Sequence, residues 1–257
     1  MDRMENFPLL QVDHVELSLA WASLMVYVDD TEDLQVLVSG AEGDLNDLRV
    51  GMKDERTLEV KQPFYGLSYR IASGHWLQVS LRVPREWRGG LSAYTTTGSM
   101  QVQGVQGSDL TLDTVTGELR AAGLRAISMT MKSVSGHILG SDLQGTQLTV
   151  RNVSGSIRLE ACRFEEYKLG GVSGSQTVEM TAPFNTVECN TVSGDVALFV
   201  PMGAVDVYHR TVSGRLRTAG ISLQEGMPSI RLTGVSGNLE VSSTLMSLGA
   251  QPGQADQ

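Results

Sequence analysis

A chain of 257 residues, 41% of them hydrophobic, can build one or two domains around a real core. Its formal charge of −9, with no run of Lys or Arg interleaved with aromatics, excludes the positive footprint that nucleic acid or an anionic membrane surface requires. No apolar stretch reaches the roughly 18 residues of a membrane span, and the opening MDRMENFPLL lacks the apolar run of a signal peptide. The expectation is a chain that is cytoplasmic or peripheral to the membrane, unless an export segment has been removed.

In residues 1–90 the strand signals are dense but carry no glycine period. Val12, Val15 and Leu17, then Leu24, Val26 and Val28, then Leu34, Val36 and Val38 alternate with polar residues, as do Leu58 and Val60 and the run Leu77 to Val83 before Pro84. Turn residues fall between them at Asp29-Asp30, Ser39-Gly40, Glu42-Gly43-Asp44 and Ser73-Gly74. This region is predicted to be a β-rich cap, with Trp76 and Trp87 helping to cover an open end.

From Thr96 a short phrase returns eight times: Thr-Thr-Gly, Val-Thr-Gly, then Val-Ser-Gly. Its glycines are Gly98, Gly117, Gly136, Gly155, Gly174, Gly194, Gly214 and Gly237, at steps of 19, 19, 19, 19, 20, 20 and 23. A sustained period of this length marks a stacked repeat. Two and four places after each glycine the residues are mostly apolar, as at Leu119 and Ala121, Ile157 and Leu159, and Val196 and Leu198. Before it, positions −7, −5 and −2 carry Leu110, Leu112 and Val115, or Leu148, Val150 and Val153, and the odd step from −5 to −2 predicts a kink at the corner. Each period therefore holds two short strands and two turns, with no room for a helix.

The solution is an all-β fold, a parallel right-handed β-solenoid of 19–20-residue coils, capped by a β-rich N-terminal region. The predicted division is a cap over 1–90, about eight coils over 91–243, and a C-terminal tail over 244–257. Leu245, Met246 and Leu248 could fold over the final coil, while Gln251 to Gln257 reads as a disordered tail. Two open ends would also permit a homodimer.

The residue before each glycine is Thr97, Thr116, Ser135, Ser154, Ser173, Ser193, Ser213 or Ser236. This hydroxyl ladder reads as small side chains bonding to turn backbone at a tight corner, or as a regular array facing ice, glycan or mineral. The chain lacks a repeated Thr-x-Thr face.

The phrase resembles a bacterial "putative adhesin" family of unknown function whose members are β-solenoids of toast-rack form. The matching segments are Val153-Ser154-Gly155-Ser156-Ile157-Arg158-Leu159 and Val192-Ser193-Gly194-Asp195-Val196-Ala197-Leu198, with the strand into Val83-Pro84 before them. The resemblance spans nearly the whole chain. It implies the fold and a bacterial origin, and offers no catalytic residues to transfer.

The search for chemistry returns no catalytic, cofactor-binding or metal-binding residue. His14, His75, His137 and His209 sit in no metal-ligand spacing, and His209 occupies a −5 position where other coils place Leu, Met or Val. Cys162 and Cys189 have neither knuckle nor redox spacing and read as buried thiols, with a disulfide the minor reading. Glu118 and Asp195 lie four coils apart, about 19 Å at the strand spacing and too far to act together. Glu160, Glu165 and Glu166 beside Lys168 read as a solvated loop. The expected function is that of a non-enzymatic, adhesin-like or envelope-associated scaffold for an unknown protein or envelope partner. The alternative is a carbohydrate-binding or carbohydrate-active β-helix protein.

Overall fold

Period-two alternation puts every second side chain on one face of a strand. In the computed structural model, which describes residues 1–63, 76–226 and 228–245, that face turns inward as the sequence requires. Leu110, Leu112, Leu119, Met129, Met131, Ile138, Leu148, Val150, Ile157 and Leu159 are all buried and belong to one continuous core that runs from Val12 to Val241. The strands before the glycines form one sheet of 12 strands and those after them form another, also of 12. Pairing between coils is parallel. Leu110 pairs with Met129 and Leu148 with Tyr167, steps of 19 residues, and Tyr167 with Val187, a step of 20. The chain is an all-β parallel β-solenoid.

The glycine column has a steric cause. A Cβ on Gly117, Gly136, Gly155, Gly174 or Gly194 would overlap the carbonyl oxygen of the glycine one coil earlier, so only hydrogen fits. Gly98 stands in the same way on the carbonyl of Ala22, which extends the column into the first coil. The corner is then held by its hydroxyls. Thr95, Thr114 and Ser133, three places before their glycines, accept hydrogen bonds from the N–H of Gly98, Gly117 and Gly136 at 3.1, 3.2 and 2.8 Å.

Position −3 is therefore the inward one, and the predicted inward valine at −2 is corrected. Alternation runs unbroken through −7, −5 and −3, so Thr114, Ser133, Asn152 and Thr191 are buried while Val134, Val153, Val172 and Val192 are 44–48% exposed. The predicted bend is present where the strand stops at −3, as in Gln106–Thr114 and Arg125–Ser133, which are followed by bends at Val115 and Val134; in the Gly155 coil one strand, Gln144–Ser154, runs through both positions.

Stack order and chain order part company at both ends. Val187 pairs with Ile230 and not with Val207, the next equivalent in sequence, and Val207 then pairs with Ile230 from the other side. The Gly237 coil is thus inserted between the Gly194 and Gly214 coils, and Gly237 sits over the carbonyl of Gly194. Near the beginning, Val15 lies between Leu58 and Leu91, and Val26 between Leu81 and Val102. Residues of the first ninety consequently supply two stacked coils as well as antiparallel cover, which comes from Asp2–Phe7, Leu34–Gly40 and Arg49–Met52.

At the N-terminal end Trp87 is buried and donates its indole N–H to the Val12 carbonyl at 2.8 Å, whereas Trp76 is 53% exposed and gives little cover. The C-terminal cover differs from expectation too. The stack ends on the Gly214 coil, and Leu245 is exposed; Met246, Leu248 and the tail from Gln251 lie outside the described residues, as do Ser73-Gly74 and His75.

Candidate functional site

Outward side chains repeat at the coil spacing, so any surface feature of this fold is a column. The hydroxyl column is structural in the part where its bonds are seen. Thr116 donates to the carbonyl of Thr96, Ser154 to that of Val134, Ser173 to that of Val153 and Ser193 to that of Val172, at 3.2–3.4 Å. These hydroxyls tie each corner to the one before it.

Beside them stands the valine column. Val115, Val134, Val153 and Val172 line a shallow groove of about 450 Å³ on the outer face of the pre-glycine sheet, with Tyr94 at one end and Gly170 and Gly171 at the other. Its charged rim comes from position −4. Lys132 lies 3.7 Å from the Asp113 carboxylate, while Arg151 makes no ion pair with a described residue. Burial pushes the Asp113 carboxyl above its ordinary range, and the Lys132 ammonium opposes that shift. Sequence reasoning missed this groove because it sent the valines inward; the −3 positions, polar in six coils and glycine at Gly171 and Gly234, were the available signal.

On the opposite sheet a second cleft of about 340 Å³ is lined by Gln101, Gln103, Arg120, Leu139, Arg158 and Glu160, among others. Its one carboxylate accepts from Arg158 at 2.7 Å, and Arg120 is paired with Glu118. A lone, ion-paired carboxylate offers no acid–base pair.

The other polar candidates are engaged singly. His137 Nδ1 lies 2.8 Å from Ser156 Oγ and 3.2 Å from the Ser156 amide N–H. His14 contacts Ser92 at 3.2 Å. Asp195 accepts from the main chain and side chain of Asn238, both at 2.9 Å. Glu166 and Lys168 are on a strand, Glu166–Ser173, and not in the predicted loop; Glu166 accepts from Gln147 at 3.0 Å. His209 is half-buried in the outermost coil, its Nε2 without a partner among the described residues. Among the described residues no three His, Cys, Asp or Glu side chains are grouped to hold a metal ion.

Cys162 and Cys189 are buried free thiols, and burial pushes each up to about 12. A thiol that stays neutral in the fold but ionises in the open chain stabilises below its unfolded value near 9.0; that stability is lost as pH rises from there toward 12. Iodoacetamide at pH 8 should leave both cysteines unlabelled until the protein is unfolded. Replacing both with Ala should flatten the fall in Tm between pH 9 and pH 12. Rapid native labelling, or an unchanged alkaline slope, would contradict their placement.

The comparisons agree with this architecture. A family model described as Toastrack DUF4097 matches residues 12–245. Comparison with curated proteins gives no match. Among solved structures, a "putative lipid binding protein" from Parabacteroides distasonis is 13% identical, with a TM-score of 0.58 over 93% of this chain and 96% of its own. A "putative adhesin" from the same species is 10% identical, with a TM-score of 0.53 over 94% and 97%. At such identities the likeness establishes the fold alone. No helix among the described residues is long and apolar enough to cross a membrane.

Proposed function

The chain belongs to the Toastrack DUF4097 family, and on that premise we propose that it is a non-enzymatic scaffold, adhesin-like and envelope-associated, that holds a protein partner on one of its long outer faces. The observation that carries this reading is the stack itself. Two 12-stranded sheets share one core, so their outer rows are held at fixed spacing on a stiff frame. Glu118, Glu160, His137 and Asp195 are each bonded to a neighbour, which also supports a scaffold without chemistry of its own. Among the described residues the two sheets end at Leu216–Ala219 and Ser222–Leu223, and a second copy of the chain would add at those edges.

Photo-cross-linking in the native organism tests the reading. A photoreactive residue at Leu139 or Arg158 probes one outer face, and at Thr149 or Lys168 the other. The expected result is one discrete protein adduct from one face, whose mass also tells whether the partner is a second copy. No adduct from either face, together with unchanged adhesion and envelope-stress response on gene deletion, would overturn the proposal.

A further inference from the structure

The two ends of the stack are unlike. At the N-terminal end the core is plugged. The sheets stop there at Asp2–Phe7 and Arg49–Met52, and between them lies the short helix Glu42–Asp47, with Leu45 and the following Leu48 buried. Arg3 ties the plug down by donating to the Leu48 carbonyl at 3.2 Å. At the other end no such element stands among the described residues. Val207, His209 and Leu216 of the last coil are only half-buried and Thr218 is exposed, whereas the equivalent Val187, Cys189, Val196 and Leu198 of an interior coil are buried. Val212 and Leu223 are exposed as well. That end of the core is open.

Charge divides the same way. Residues 1–61 hold 14 acidic and 5 basic side chains, a difference of −9 that equals the net charge of the whole chain, so residues 62–257 balance. On the plugged end the two edge strands and the helix carry Asp2, Glu5, Glu42, Asp44 and Asp47 against Arg3 and Arg49. The last coil, residues 204–223, carries Arg210, Arg215 and Arg217 against Asp206. Opposite fields at the two ends of one stiff body favour end-to-end contact in a single polarity. Tail against tail sets the arginines of two copies together, and head against head opposes two acidic plugs.

Backbone pairing allows the same polarity. Among the described residues each sheet has one edge at each end: Asp2–Phe7 and Leu216–Ala219 in one, Arg49–Met52 and Ser222–Leu223 in the other. A shift of one copy along the stack axis brings both pairs of edges together, and ladder groups left over in the single chain find partners. Asp2–Phe7 would then run parallel to Leu216–Ala219. It is antiparallel to Leu34–Gly40, which is antiparallel to Leu77–Pro84, and that strand runs with the rest of its sheet. The core-side rows that meet are partly polar, Arg3 and Glu5 on one copy, His209 and Thr218 on the other, so neither end is an indiscriminate apolar edge.

We propose that copies of this chain associate head to tail, the acidic plug of one seated on the open, basic end of the next, in an open-ended series. A coil's end face, two sheets about 10 Å apart with strands of about 17–20 Å, is small beside the roughly 800 Å² per partner of a standard interface. The contact is therefore reversible and grows with concentration.

Sedimentation velocity of the whole protein tests this. The expected result is a mean mass that climbs with concentration past that of a dimer without a plateau, and that falls as salt is raised. Arg210→Glu and Asp47→Lys should each weaken association about tenfold or more. An equimolar mixture of the two keeps one native joint per pair, between the open end of one variant and the plug of the other, and should stop at a dimer. A second readout is independent of charge. Met4→Cys and Ala219→Cys place thiols at exposed positions on the two edge strands, while the native thiols are buried. A short bis-maleimide should join the two variants to each other and neither to itself. A mass fixed at the monomer overturns the proposal. So does a wild-type plateau at the dimer, indifference to Asp47→Lys, or cross-linking of Ala219→Cys to itself. None of these outcomes bears on a partner held at a long face.

Discussion

Replacing Ile157 with Asp is expected to abolish cooperative folding of the stack. Ile157 is 1% exposed in a middle coil, paired on one side with Ile138 and on the other with Gln176. Among the side chains lining the core there, Leu159, Leu148 and Tyr167 are fully buried and supply no cation. A carboxylate must either remain charged without a partner or take up a proton, and both routes add to the loss of the buried isobutyl-sized group; the total is about 4 kcal/mol or more. The repeat architecture magnifies the damage, because each coil is stabilised by its two neighbours and a broken middle coil uncouples the halves. Ile157→Val is the control, at a cost of about 0.5–1.5 kcal/mol. Urea unfolding followed by circular dichroism should show a single transition for the wild type and Ile157→Val, and a broad or absent one for Ile157→Asp. A wild-type midpoint in the Asp variant would rule out the inward position of residue 157.

The period was legible in the sequence because its cause is local and repeated. A glycine that must stack on the previous glycine's carbonyl cannot drift, so Gly117 to Gly194 stand out in the sequence as they do in space. Alternation at −7, −5, +2 and +4 was legible for the same reason. The corner was misread because apolar valine was assumed to turn inward. There, hydrogen bonding outweighs hydrophobicity: Thr95, Thr114 and Ser133 cap the glycine N–H from inside, and that sends valine out. In the first coil no glycine marks the corner. Its three N–H groups at Ala20, Trp21 and Ala22 are all satisfied by the side-chain oxygen of Gln62, a distant residue that no local pattern reveals.

Stack order was hidden for a deeper reason. Every coil offers its neighbours the same backbone ladder and the same aliphatic face, so pairing of Val187 with Ile230 or with Val207 looks equivalent from sequence. The clue lay in residues that a middle coil would not accept. The Gly214 coil places His209 and Thr218 at positions that are apolar in most other coils, and Thr218 is exposed. Such a coil suits the end of a stack, where one side faces solvent. The candidate groove inherits only the first difficulty: its valines were assigned inward, while its coils stack in chain order.

Gly174→Ala is expected to be the most damaging single-methyl addition in the chain. Gly174 has φ of +118°, where a side chain is strained, and its Cβ would meet the carbonyl oxygen of Gly155. Neither side can yield cheaply. The Gly155 peptide is fixed in its own coil, and Gly174 in turn presents its carbonyl to Gly194 one coil further on. Strain of about 1–3 kcal/mol and overpacking of about 1–3 kcal/mol act together, so the loss should be about 2–6 kcal/mol. Gly43→Ala supplies the contrast. Gly43 lies in the short helix Glu42–Asp47 with nothing near its would-be Cβ, and alanine there should stabilise by about 0.5–1 kcal/mol. The two substitutions add the same atom, so the difference in sign isolates the contact between stacked corners from the general effect of losing a glycine. Equal midpoints for the two variants in urea would mean that the glycine column is a matter of backbone entropy, and that the corners do not touch as described.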